Sequence, residues 1–144
     1  MHSSLVSPIL SRTAFYQWGS AAQYPSGIAI SAGDVIRLTV FAFTATFGEA
    51  RIENLTNGNT VSESLTSSIP LCLQGAEWMV EDIALNLPLA NFGTVAFTDA
   101  VAGSILAGTY TPSGSNVSLI DMVENNQVVA STSASGSSVT IKYV

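Results

Sequence analysis

Positive charge is nearly missing from this sequence: four Lys and Arg stand against ten Asp and Glu, a net charge of −6 with one His. So few basic residues leave no footprint for nucleic-acid phosphates or for an anionic membrane surface. Charge of either sign is scarce, at 10% of residues, where an ordinary domain carries about a quarter. The single cysteine, Cys72, excludes an intrachain disulfide and leaves a buried free thiol, an intermolecular linker or the orphan of an absent partner. One histidine, His2, beside one cysteine removes zinc-type ligand sets and Ser-His-Asp or Cys-His arrangements alike. No Gly-rich phosphate loop leads into a helix, so neither a metal nor a cofactor is expected. No apolar run approaches the roughly 18 residues of a membrane span. Residues 1–12 lack a basic start and an apolar stretch of signal-peptide length, so no secretory signal is visible.

What remains is a polar but uncharged β-protein composition. Hydrophobic residues make up 47% of 144 residues, in a background rich in Ser, Thr, Gly and Asn, which suits one domain with a real core. The sequence pI of about 4.3 and the sparse charge are compatible with a low-pH, secreted setting. Two triplets, Asn54-Leu55-Thr56 and Asn116-Val117-Ser118, are N-glycosylation acceptors if the chain enters the secretory route.

Along the chain, short strands alternate with Gly, Asn and Ser punctuation, and no helical period is sustained. Thr13–Trp18 is an aromatic-rich strand closed by Gly19-Ser20, and Ile28–Ile30 is a short one. Ala32-Gly33-Asp34 turns into Val35–Thr44, where Ile36, Leu38 and Val40 share one face and Arg37 and Thr39 the other, a half-buried strand. Ala50–Leu55 and Thr60–Leu65 flank Asn57-Gly58, which tolerates the positive φ angles of a tight hairpin. Strands are also expected at Asn91–Thr98, at Val117–Val123 and Gln127–Thr132 around Glu124-Asn125-Asn126, and at Val139–Val144; Ala102–Pro112 is looser. Turns at this spacing predict an all-β, antiparallel sandwich or barrel.

The stretch with chemical interest is Ala76-Glu77-Trp78-Met79-Val80-Glu81-Asp82-Ile83, which holds three of the ten acidic residues. As a strand it places Glu77, Met79 and Glu81 on one face and Trp78, Val80 and Asp82 on the other. A Glu beside a neutral partner can take a proton from water and return it to a leaving group. On pattern alone, an acidic pair on a strand is also a solvent face or a polar patch. Trp18 and Trp78 read first as core or cleft-wall aromatics.

Ordered motifs add to this. Phe15-Tyr16-Gln17-Trp18 resembles the Trp-Tyr-Glu-Trp of the eqolisins, the fungal glutamic peptidases secreted to work in acid. Ile28-Ala29-Ile30-Ser31-Ala32-Gly33-Asp34 is similar to their Ile-Thr-Ile-Ser-Glu-Gly-Asp. The likeness continues through Glu53–Gly58, through Leu71-Cys72 ahead of Ala76–Asp82, through Asn91–Val95, and ends on Val139–Val144. The match covers residues 13–144, read as one eqolisin-like domain, with residues 1–12 outside it. The resemblance implies an antiparallel, lectin-like β-sandwich, a polypeptide substrate and an extracellular location.

It also implies that Glu81, directly before Asp82, is the catalytic base and later the proton donor, with Glu77, Gln17, Trp18 and Trp78 as possible supporting residues. The family's second catalytic group is a Gln on a Gln-Thr-Gly or Gln-Ala-Gly strand upstream of the Trp-Tyr-Glu-Trp motif, and no such segment occurs here. Gln17 stands where the family has Glu, and the family partner of Cys72 would also lie upstream. The expectation is therefore a sandwich truncated at its N-terminus. It is an acid endopeptidase that is inactive or incomplete as this chain, or a non-catalytic β-sandwich kept for binding or structure. Uncovered strands would favour self-association.

Overall fold

The computed structural model describes residues 16–18, 21–23, 27–81, 89–104 and 108–144. Every element among them is a β-strand and every pairing is antiparallel, so the chain is all-β, as the turn spacing predicts. It divides into two compact units, Met1–Gly75 and Ala76–Val144.

In the first unit β1 (Tyr16–Trp18) pairs with β2 (Ala21–Gln23). A three-stranded sheet is built from β3 (Ile36–Thr44), β4 (Phe47–Asn54) and β5 (Thr60–Thr66), in that order. The central strand β4 shows the period of two most clearly: Gly48, Ala50, Ile52 and Asn54 are buried while their neighbours are not. The opposite face carries the exposed ion pairs Arg37–Glu53 at 3.8 Å and Arg51–Glu49 at 3.4 Å, each worth at most about 1 kcal/mol. Near the β3–β4 turn, Phe41 stacks on Phe43 with centroids 6.4 Å apart, and Phe43 meets Phe47 at 5.4 Å.

The expected half-burial of β3 is not what forms. Leu38 and Val40 oppose the buried Ile52 and Ala50 in the register, yet are 64% and 68% exposed. Edge position does not set this, since β5 is the other edge strand and its Leu65, on the same face, is buried; the strands differ in what packs on them from elsewhere. Ile28–Ile30 is not a strand either. The Ala29 carbonyl accepts from the Asn54 and Asn57 side-chain amides, so side chains take the bonding a ladder would use.

Asn54 joins two turns of this unit, Ser31–Asp34 and the β4–β5 loop. It is 1% exposed; its Nδ2 donates to Ala29 O at 2.9 Å and Asp34 Oδ2 at 2.7 Å, and its Oδ1 accepts the Thr56 and Asn57 amides. All hydrogen-bonding capacity of the side chain is used. Asp34 Oδ2 also accepts the Ser31 amide, and Val35 N donates to Thr56 Oγ1. The turn Ser31–Asp34 needs φ +88 at Gly33, which glycine adopts without penalty. The β4–β5 hairpin forms as expected, but as a four-residue loop between Asn54 and Asn59, closed by Gly58 N to Asn54 O. Of Asn57 and Gly58, Gly58 alone has positive φ. The burial of Asn54 overrides the two-residue geometry.

The second unit is built on a four-stranded sheet ordered β6-β11-β10-β9, from β6 (Thr94–Phe97), β9 (Met122–Glu124), β10 (Gln127–Ser135) and β11 (Ser138–Tyr143). Between them in sequence, β7 (Ala102–Ser104) pairs with β8 (Gly108–Tyr110), a hairpin inside the stretch expected to be loose. Asn125 and Asn126 both take positive φ, +47 and +63, giving the β9–β10 link the two-residue type I′ form that matches strand twist. Strand β9 starts later than expected, because Thr132 N donates to Asp121 Oδ1 at 2.7 Å and Thr132 Oγ1 to Ile120 O at 2.8 Å. Side chains, rather than a backbone ladder, hold the approach to Met122.

Candidate active site

Alternate residues of the central strands β10 and β11 build the apolar face on which the acidic segment rests. Ala130, Val139 and Ile141 are buried together, and Trp78, Val80, Leu89, Phe92, Phe97 and Met122 pack against them. Phe92 meets Tyr143 edge to face, centroids 6.0 Å apart at 85°. Its loop is held by Asn91 Oδ1 accepting from Gly93 N and by Gly93 O accepting from Tyr143 N. The other face of these strands is polar, with Ser131, Ser133, Thr140 and Lys142 at the alternate positions.

Onto this platform come Ala76–Glu81. Trp78 and Val80 are half-buried, while Glu77, Met79 and Glu81 are exposed. The period of two read from the sequence is therefore present in the burial. The segment itself is not assigned to a strand, which corrects the ladder expected there: it is held by two side chains packed on the core and has no sheet pairing among the described residues. Asp82 and Ile83 lie outside the described residues.

In an extended chain, residues four apart are separated by about 13 Å, beyond the Debye length of about 10 Å at 0.1 M salt. Glu77 and Glu81 thus share a side without forming a tight carboxylate pair. Among the described residues neither has a hydrogen-bond or ion-pair partner. An outward carboxylate on a rigid apolar anchor can meet a ligand from solvent, and water activation needs a neutral donor beside it.

Of the other sequence candidates, Gln17 and Trp18 lie on β1, opposite Ala22 and Ala21, in the first unit. Cys72 is exposed, which removes the buried-thiol alternative. Among the described residues no cluster of three His, Cys, Asp or Glu could hold a metal. Sequence reasoning missed the Asn54–Asp34 network, having taken Asn54 for a glycan acceptor. The available signal was Ser-x-Gly-Asp, a turn whose acidic side chain needs donors, some twenty residues before a buried-strand asparagine.

The model of the peptidase A4 family matches residues 8–143. Aspergillopepsin-2 of Aspergillus niger is 39% identical over 137 residues, covering 91% of this chain and 48% of that protein. Scytalidopepsin B of Scytalidium lignicola is 37% identical, covering 91% and 54%. The crystal structure of aspergilloglutamic peptidase from A. niger superposes with a TM-score of 0.80 at 38% identity, covering 92% of this chain and 79% of that one. The chain spans about half the length of the curated relatives it matches.

Proposed function

The chain belongs to the peptidase A4 family, the eqolisins, and on that footing we propose that it is part of a glutamic endopeptidase acting on polypeptides in acid outside the cell. The observation that carries this is the anchoring of Trp78 and Val80 on the Ala130–Val139–Ile141 core. It turns Glu81 outward from a fixed base, where a substrate carbonyl and a water can reach it.

In the proposed reaction Glu81 takes a proton from water while the water oxygen bonds to the peptide carbonyl carbon. The C–N bond then breaks and Glu81 returns the proton to the leaving amine. A side-chain amide from a glutamine would hold the water and donate to the developing oxyanion, worth about 3 kcal/mol for one well-placed donor. In this chain Gln17 has the right group but stands at a position where the family resemblance places Glu. The glutamine is therefore assigned to a strand beyond this sequence, and the chain alone is proposed to be incomplete.

A second reading, a non-catalytic module, is favoured by one observation: the Glu81 carboxylate lacks a partner among the described residues. Digestion of a denatured protein at about pH 3, below the ordinary glutamate pKa of about 4.3, by the chain joined to a glutamine-bearing strand segment of a relative, separates the two. Cleavage that disappears in Glu81→Gln supports the peptidase. No cleavage, or cleavage unchanged in that variant, leaves the non-catalytic module.

A further inference from the structure

We propose that Asn116 is the N-glycan acceptor of this chain and that Asn54, the other asparagine in an acceptor triplet, carries no glycan in the folded protein. The two triplets look equivalent in sequence, and the structure separates them. Asn54 is 1% exposed and both its amide hydrogens are donated, to Ala29 O and Asp34 Oδ2. A sugar on that nitrogen would replace one of those hydrogens and require space that does not exist at the base of the β4–β5 hairpin.

Asn116, Val117 and Ser118 are all exposed. Among the described residues Asn116 has no hydrogen-bond partner, and residues 117–120 belong to no strand. The acceptor nitrogen and the hydroxyl two residues on are thus both open to an enzyme, on backbone that no ladder restrains.

A second feature adjoins the acceptor. Val117, Leu119 and Ile120 are exposed, Ile120 at 79%, the most open large apolar residue among the described residues. A bulky hydrophilic glycan at Asn116 would stand next to this apolar run and reduce its tendency to associate.

The co-reactant is a lipid-linked oligosaccharide pyrophosphate. The bond from sugar C1 to Asn116 Nδ2 forms, the C1–O bond to the pyrophosphate breaks, the amide loses one proton and the lipid pyrophosphate leaves. The inference rests on the extracellular placement proposed above and is independent of peptidase activity.

The chain, fused to a secretory leader, is expressed in a yeast host, and the soluble secreted product is peptide-mapped before and after endoglycosidase. A glycan on the Asn116 peptide and an unmodified Asn54 peptide are expected. Asn116→Gln and Ser118→Ala should lose the endoglycosidase-sensitive shift, and Ser118→Thr should keep it. Translation into microsomes reads the same Asn116-dependent shift without requiring a stable fold. An unmodified Asn116 in both systems, or a glycan on Asn54 in the soluble product, overturns the proposal. The catalytic reading is judged separately, by the Glu81→Gln digestion described above, and neither glycan outcome bears on it.

Discussion

Glu81 and Glu77 differ in neighbourhood only through what lies around them, since both stand on the exposed side of one segment with Met79 between. If Glu81 alone transfers protons, Glu81→Gln in the assembled enzyme lowers kcat/KM by about 10²–10⁴-fold. Glu77→Gln, acting across about 13 Å, changes it by only a few-fold. Initial rates on a quenched peptide at acid pH check this, and equal losses in both variants would make the pair, rather than Glu81, the functional unit. Asn54 supports a stability prediction at the same scale. Asn54→Ala removes two donors and an acceptor from a buried site and should cost on the order of 3 kcal/mol in denaturant unfolding. Asn54→Asp sets a carboxylate against Asp34 Oδ2, now 2.7 Å from the amide. It should be more destabilising than the alanine variant, because an acceptor replaces the donor that Asp34 needs. A variant more stable than Asn54→Ala in denaturant unfolding would remove that argument. The glycan-acceptor reading of Asn54 shows why a triplet alone misleads: the motif is local, whereas burial depends on a turn some twenty residues earlier.

Turn chemistry was the most legible part of each element. Gly33 and Gly58 take positive φ and close a turn and a hairpin as their sequence neighbourhoods suggest. At the β9–β10 link the left-handed conformation falls on two asparagines instead, at a modest local cost. Asn126→Gly should therefore stabilise the second unit by about 0.5–1 kcal/mol, read as a rise in melting temperature; a fall would show that the Asn126 side chain does more than tolerate its φ. Strand limits were less legible. Val117–Asp121 and Ile28–Ile30 have strand-like composition, yet Ile120 O accepts from the Thr132 hydroxyl, the Asp121 carboxylate accepts from Thr132 N, and Ala29 O accepts from the Asn54 and Asn57 side-chain amides. Composition reports a preference for extended backbone, and the partner that completes a ladder is set by distant residues. Trp78→Ala belongs to this scale as well. Loss of a half-buried indole from the Ala130–Ile141 cluster should cost about 2–3 kcal/mol and blunt activity by releasing the segment that presents Glu81. The test is unfolding together with kcat, and a stable variant with full kcat would show that the anchor is dispensable.

At the scale of the whole molecule, apolar surface stands open on an edge strand among the described residues. Leu38 and Val40 on β3 are more than half exposed, and Phe41 and Phe43 continue the strand. Such an edge is a template for pairing with a second copy, so concentration-dependent self-association is expected in sedimentation velocity. Leu38→Lys with Val40→Lys should shift the distribution to monomer, and a wild-type monomer at every concentration would contradict the expectation. The sequence by itself determined the strand period, and with it which side chains share a face: Trp78 and Val80 against Glu77 and Glu81, Ile52 against Arg51. It determined the antiparallel class through the turn residues, because both properties depend on neighbours within a few positions. Only the tertiary structure decided which faces are covered. Leu38 and Ile52 share one face, yet one is open and the other buried; Asn54 is sealed while Asn116 is free; Glu81 rests on a core supplied by strands some fifty residues later. Burial is a property of whatever packs from elsewhere in the chain, and local pattern carries no record of it.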